Sequence, residues 1–390
     1  MFDFDKVIPR KGTNSLKYDF SVELGKGEDV LPLWVADMDF PTAPAILESL
    51  QKKVSHGIFG YSEGKEDYFQ AVSGWYEKHF QWKVKKSWLV KTPGVVFAVA
   101  AAIRAFTEEG DAILIQQPVY YPFGQVIENN HRKLVSSPLK QNQGHYEMDF
   151  EDFEDKIIKE QVKLFILCSP HNPVGRVWEE WELRKVGDIC KKHGVLVISD
   201  EIHNDFVWED HRHTVFVSLS PEYEDMTITC TAPSKTFNLA GLQISNIFIP
   251  NPQLKRKFKK EIAATGYEEI GLMGLVACQA AYEGGEEWLR ELKEYIWNNY
   301  LFLEKYLAEK IPQLQPVRPE GTYLAWIDCR GLGLTEAERE ELIVKKAGLW
   351  LDSGAMFGKE REGFERMNLA CPRKTLEAAL QRLENAINTL

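Results

Sequence analysis

Thr231-Ala232-Pro233-Ser234-Lys235-Thr236-Phe237-Asn238-Leu239-Ala240-Gly241 is the stretch on which the reading of this chain turns. A largely apolar run, Met226 to Cys230, leads into it. Small residues flank the lysine on one side, and Asn238 and Gly241 follow on the other. From Thr227 to Ile249 no second charged residue occurs. Most lysines of a soluble protein are solvated surface charges. Lys235 instead stands where a buried strand ends. An amine held near low-dielectric surroundings sheds its proton more easily and becomes a nucleophile.

Two further stretches narrow that chemistry. Ser169-Pro170-His171-Asn172-Pro173-Val174-Gly175-Arg176 follows the strand-like run Val162 to Cys168. Ser199-Asp200-Glu201-Ile202-His203 follows Gly194 to Ile198. Each polar motif lies just past the C-terminal end of a β-rich run, where open α/β sheets bind ligands. Asn-Pro-x-Gly alone is a turn signal. Amide, carboxylate and amine in this order say more, because an amine so placed can form a Schiff base with an aldehyde cofactor.

The ordered set Asn172, Asp200, Lys235 resembles the signature of fold-type I pyridoxal-phosphate enzymes, the aspartate aminotransferase superfamily. Within it the chain is most similar to the cystathionine β-lyase or C–S lyase branch, the PatB/MalY-like proteins. The stretches WVADMDF, FGYS, SPHNPVGRVW, DEIHNDF, APSKTFNLAGLQ and NLACPR carry that resemblance across essentially the whole chain. It implies that Lys235 binds pyridoxal 5′-phosphate and serves as the base at the substrate α-carbon. Asp200 would pair with the pyridine nitrogen, Asn172 with the ring oxygen O3′. His203 stands where many aminotransferases have a tyrosine that contacts the same oxygen. Ser234 matches a phosphate-binding serine. Tyr120, two residues after Pro118, matches the aromatic stacked on the ring. Tyr61, between Gly60 and Ser62, matches a tyrosine that crosses a dimer interface to the phosphate of the other subunit. The backbone at Ala36 would lie beside the bound amino acid, and Arg366 of Arg-Met-Asn would hold its α-carboxylate.

The resemblance has one departure. Aminotransferases of this fold usually carry an arginine to the phosphate eight residues after the lysine, and this chain has Gln243 there.

The rest of the chain agrees with an α/β fold. Strand patterns at Ser87–Lys91, Ala112–Gln116, Lys133–Ser136, Val162–Cys168, Val195–Ser199, Met226–Cys230 and Ile244–Ile249 alternate with helical ones. That alternation predicts a mostly parallel sheet with helices on both faces. Thr42 is expected to cap a helix over Ala43–His56, with Pro44 in its first turn. Gly94 and Val95 open a nearly all-apolar helix, so they present free N–H groups and the positive dipole end to an anion. From about residue 286 the pattern changes. A long helix over Glu287–Lys310 precedes a strand at Gly321–Asp328, a helix at Glu336–Ala347, a strand at Phe364–Leu369 and a closing helix at Lys374–Ile387. Residues 46–285 are therefore expected to form a large cofactor-binding domain, and 1–45 with 286–390 a smaller α+β domain. Arg366 in an apolar strand needs a partner, and its planar fork suits a carboxylate. Arg373 is expected to start the last helix.

The 390 residues carry a net charge of −11, which argues against a general nucleic-acid surface. No run is long enough to span a membrane. The start has neither a basic n-region nor an apolar h-region. The six cysteines show no C-x-x-C pairing and read as reduced, buried thiols. A cytoplasmic homodimer acting on a small amino acid, with shared active sites and no metal, is expected. The implied reaction is β-elimination of a thiol from cystathionine or a related cysteine thioether, giving pyruvate and ammonia. An aminotransferase is the alternative, since the same residues serve both reactions. A regulatory protein acting through a transcription-factor partner is a third reading, although no basic DNA-reading element is present.

Overall fold

Seven strands set the frame of the protein. They are β1 (Leu89–Thr92), β2 (Ala112–Ile115), β3 (Lys133–Ser136), β4 (Leu164–Cys168), β5 (Leu196–Asp200), β6 (Thr227–Thr231) and β7 (Ser245–Phe248). The computed structural model describes residues 2–142, 144–267, 269–358 and 362–390. The spatial order is β1-β7-β6-β5-β4-β2-β3. From β6 to β3 every neighbouring pair is parallel. Only β7 runs antiparallel to both its neighbours. Strands such as β4 and β6 are buried on both faces, as a sheet covered on both sides requires.

Alternate residues of one strand enter two different cores. Leu114, Phe165, Leu167 and Val197 pack with Phe153, Ile157, Leu183 and Val186 of the helices Phe150–Glu160 and Glu180–His193. Ile113, Ile115, Ile166 and Ile198 pack instead with Val99, Ile127 and Phe258 of Val95–Phe106, Pro122–Asn129 and Pro252–Ala264. Helices on both faces are thus matched by central strands buried on both faces.

A second, antiparallel sheet joins Gln315–Pro316, Leu324–Asp328, Phe364–Asn368 and Asp352–Ser353 in that order. The N-terminal segment attaches to this part through Leu31–Pro32, which pairs in parallel with Leu349–Trp350. The closing helix Arg373–Ile387 begins at Arg373. Its guanidinium donates to Asn299 Oδ1 at 2.8 Å, a structural tie to the long helix Glu286–Lys310.

Several local expectations need correction. The cap residue of Pro44–His56 is Ala43, and Thr42 Oγ1 donates instead to the Phe237 carbonyl at 2.7 Å. Tertiary bonding thus outcompetes the cap. The helix expected over 336–347 is α-helical only at Glu336–Glu340 and widens to π geometry over Glu341–Lys346. Glu66–Phe80 is a helix that the sequence reading does not assign. Its buried stripe is Tyr68, Val72, Trp75 and Tyr76, an i, i+4, i+7, i+8 spacing carried mostly by aromatics. Among the described residues no helix is long and apolar enough to cross a membrane.

Candidate active site

Lys235 is placed by the end of β6. The chain leaves the sheet there and makes one helical turn, Pro233–Thr236, with Pro233 preset for the first helical position. Two anchors fix that turn. Thr236 Oγ1 donates to Asp205 Oδ2 at 2.6 Å, and Asp205 Oδ1 accepts from Trp75 Nε1 at 3.1 Å. Asn238, at φ 57°, accepts from Met38 N and donates to the Met38 and Phe40 carbonyls, each at 3.0 Å. The lysine therefore sits on a rigid support. Its Nζ donates to the Ala36 carbonyl at 2.7 Å. Burial, and then the positive charge of Arg366, pushes the amine down to about 8, against the pull of Asp37 and Asp200.

Asp200 closes β5, directly opposite Cys168 in the β4 register. It is buried, and its Oδ1 accepts from Ile202 N at 3.1 Å. Burial pushes its carboxyl up to about 7, partly offset by that hydrogen bond and by Lys235. The adjacent Glu201 has a separate task. It accepts from Ser199 Oγ and Phe216 N, at 2.8 and 3.1 Å, and bonds His213 Nε2 at 2.8 Å, which ties down the chain that follows β5. His203 is buried beside the ring of Tyr323, and its Nδ1 has no partner among the described residues. Burial, with Lys235 and Arg366 nearby, holds it well below the usual histidine range, so it is neutral.

Arg366 approaches from the second sheet, cross-strand from Asp352 and Trp326. It forms a buried ion pair with Asp352, donates to Asn172 Oδ1 at 3.0 Å and to the Trp34 carbonyl at 2.8 Å, and lies over the Phe357 ring. These partners offset the cost of burying a guanidinium. Its Nε finds none among the described residues. Asn368, two residues on, donates to the Val35 and Asp37 carbonyls at 2.8 and 2.6 Å. Arg-x-Asn thus clamps the Trp34–Asp37 loop, and the loop's Ala36 carbonyl meets Lys235. From its other side that loop is held by charge. Asp39 takes hydrogen bonds from Lys17, Arg10 and Tyr18, at 3.0, 2.8 and 3.0 Å.

One cavity of about 190 Å³ gathers nine of the residues expected from sequence: Ala36, Gly94, Val95, Tyr120, Asn172, Asp200, His203, Ser234 and Lys235. Two stand outside it. Arg366 reaches it through Asn172. Tyr61 is 94% exposed, on a segment away from the cavity of its own chain. Cys168, Ile202 and Ser245 also line the cavity and are not among the site residues expected from sequence. Gln243 does not line it. A larger groove beside Leu89, Lys259 and Tyr267 lies elsewhere, and its Glu63 and Lys91 pair with each other.

The cavity suits a flat, phosphorylated aldehyde. The helix Val95–Phe106 points its N-terminus into it with no side-chain cap. A β-carbon at Gly94 would meet no atom within 4 Å, so the approach to those N–H groups is open. Tyr120 offers a ring face, Asp200 a carboxylate and Lys235 an amine. The buried Ser245 hydroxyl and His203 Nδ1 are without partners among the described residues.

Comparison with known proteins agrees. The profile of the aminotransferase class I and II family matches residues 28–383. The chain is 42% identical to cystathionine beta-lyase PatB of Bacillus subtilis, over 99% of this chain and 100% of PatB. It is 33% identical to protein MalY of Escherichia coli, over the whole of both chains. The crystal structure of cystalysin from Treponema denticola, which contains a pyridoxal 5′-phosphate cofactor, superimposes with a TM-score of 0.96 at 39% identity, covering 100% of this chain and 99% of that one. With such identity along its full length, the chain belongs to the class I and II aminotransferase family, in the branch that holds PatB and MalY.

Proposed function

We propose that this protein is a pyridoxal-phosphate-dependent carbon–sulfur β-lyase of amino-acid metabolism. It cleaves cystathionine or a related cysteine thioether to pyruvate, ammonia and a thiol. The observation that carries the reading is the convergence of Lys235, Asp200 and Asn172 on one cavity, with Arg366 standing behind Asn172 and donating to its Oδ1. The similarity to PatB supplies the reaction.

When bound, pyridoxal phosphate supplies an aldehyde carbon for an amine and an electron sink for charge left on a substrate α-carbon. The chain's own residues do the rest. Lys235, easily deprotonated, would hold the aldehyde and would take the proton from a substrate Cα. Asp200 in its ionised form needs a cationic neighbour, and a protonated pyridine nitrogen is one. Asn172 has its Oδ1 committed to Arg366, which leaves its NH₂ to donate to O3′. Neutral His203 adds a ring nitrogen on the same side. Tyr120 would hold the ring by stacking, worth about 0.5–1.5 kcal/mol beyond burial. Ser234, Gly94 and Val95 receive the phosphate. Arg366 holds the substrate carboxylate, so that the Cα–H bond faces Lys235. Loss of that proton would let the Cβ–S bond break, and the sulfur would leave with its electron pair and take up the proton that Lys235 removed from Cα to become the thiol. Water completes the release of pyruvate and ammonia.

Incubation with cystathionine tests the reading. Pyruvate and free thiol should accumulate without any added keto acid. Turnover that requires a keto acid and releases no thiol would make the protein an aminotransferase instead.

We further infer a cytoplasmic homodimer with shared active sites. Six unpaired, buried cysteines suit a reducing compartment. Ile58, Phe59 and Tyr61, at 67%, 61% and 94% exposure, form an apolar segment that a single chain leaves uncovered. Tyr61 would reach the phosphate in the partner subunit's site. Residues 46–285 serve as the large domain, and 1–45 with 286–390 as the small one. Full activity in a monomeric fraction would overturn the shared site.

A further inference from the structure

We propose that Ser245 is a phosphate ligand of the cofactor site, a neutral donor in a cradle that has no cation of its own. The inference rests on the pyridoxal-phosphate reading above. Ser245 begins β7 and stands opposite Thr92 in the antiparallel register with β1. Thr92 leads through Pro93 into the Gly94 turn, so Ser245 lies beside the open N-terminus of Val95–Phe106. Gly94, Val95, Val96, Ser234 and Ser245 line the same cavity.

The state of the Ser245 hydroxyl is the second observation. Ser245 is 1% exposed, yet its Oγ has no hydrogen-bond partner among the described residues. A buried hydroxyl without a partner costs free energy. Thr227 and Thr229 carry similar unpartnered hydroxyls, but neither borders the cavity. Ser245 alone of the three can be satisfied by a ligand there.

Charge makes the role specific. Among the described residues lining the cavity, Lys235 is the one cation, and its amine is the group that takes the aldehyde. Gln243 stands outside. A phosphate in this cradle is therefore met by N–H and O–H donors and by the helix dipole. In such a cradle each hydroxyl carries a larger share of the binding than it would beside an arginine.

The experiment uses the full-length chain stripped of cofactor and titrated with pyridoxal phosphate, and separately with pyridoxal, which keeps the aldehyde and lacks the phosphate. Ser245→Ala removes one oxygen and adds no bulk, so the fold should persist, with Tm as the control. Its Kd for pyridoxal phosphate should rise about tenfold or more, the loss of one hydrogen bond to a charged group. Its Kd for pyridoxal should stay at the wild-type value. Inorganic phosphate should compete with pyridoxal phosphate less well in the variant than in wild type. Unchanged pyridoxal-phosphate affinity, or equal losses for the two aldehydes, overturns the assignment of Ser245. A wild-type chain that binds pyridoxal as tightly as its phosphate overturns the cofactor reading itself, and this inference with it, so the two failures are told apart.

Discussion

The cavity wall carrying Lys235 and Asp200 and the wall of the second sheet behind Asn172, which carries Arg366, bury charge in opposite ways. On the first, each group is left with neutral partners: Lys235 donates to a carbonyl, and Asp200 accepts from a backbone N–H. Burial then dominates and brings both close to neutral pH, at about 8 and about 7. On the second wall, Arg366 has a buried carboxylate, a side-chain amide and a carbonyl. A group that must change its protonation or accept a ligand is left unpaired, where its state is easily moved. A group that must stay charged and oriented is paired before the substrate arrives. On the proposed roles, the first wall would serve the chemistry and the second the positioning.

The largest effect should come from the first wall. Lys235→Ala should lose about three powers of ten or more in turnover, together with the absorbance band of the bound cofactor. A yellow, thiol-releasing variant would break the division at its centre. Asp200→Ala should keep part of the cofactor and lose about 10²–10³-fold in rate, since nothing then holds the proton on the pyridine nitrogen. A near-wild-type rate would remove Asp200 from the chemical wall.

The second wall should respond more mildly and in a different observable. Arg366→Lys keeps the charge and loses the fork. With charge-assisted hydrogen bonds worth roughly 1.5–3 kcal/mol each, kcat/KM should fall by about one to two powers of ten. Cofactor absorbance should stay nearly intact. For an analogue lacking the carboxylate, wild type and variant should be about equally poor. Loss of cofactor in this variant would mean that Arg366 supports the site rather than the substrate.

The first wall was also the more legible of the two in sequence. Asn172, Asp200 and Lys235 each follow a strand that the composition makes plain, and strand ends meet at one edge of a parallel sheet. Position along the chain thus translates directly into position in the site. Arg366 stood out as a charge in an apolar strand, but its partner Asp352 depends on which strands neighbour each other in the second sheet. No local spacing reveals that. Ser245 and Cys168 were hidden for another reason. They belong to strands and read as ordinary interior residues, and only the register with β1 and β5 turns them toward the cavity. Tyr61 was singled out by resemblance alone. Its own chain leaves it exposed, so the role proposed for it would depend on a second chain. The Glu66–Phe80 helix escaped because its buried stripe is largely tyrosine and tryptophan, which read equally as strand formers.

The smallest predicted effect joins the two walls. Capture of the aldehyde requires Lys235 as the neutral amine, so in the cofactor-free chain the rate of uptake should rise with pH. An ordinary lysine would give a midpoint near 10.5, whereas Lys235 should give one at about 8. Burial is the main cause and no charge substitution removes it. Arg366 is the next cause and also acts downward, while Asp200 acts upward. Arg366→Gln should therefore shift the midpoint above 8, because the ammonium loses a repelling neighbour. Asp200→Asn should shift it below 8, because the ammonium loses an attracting carboxylate that is largely ionised at that pH. Stopped-flow measurement of pyridoxal-phosphate uptake from pH 6 to 10 reads all three curves. Shifts of opposite sign would mean that the positioning wall also sets the reactivity of the chemical one through its field. Absence of any shift would mean that burial alone sets the lysine and that the walls act independently, and shifts of the same sign would mean that the charges of Arg366 and Asp200 do not act on it as a field.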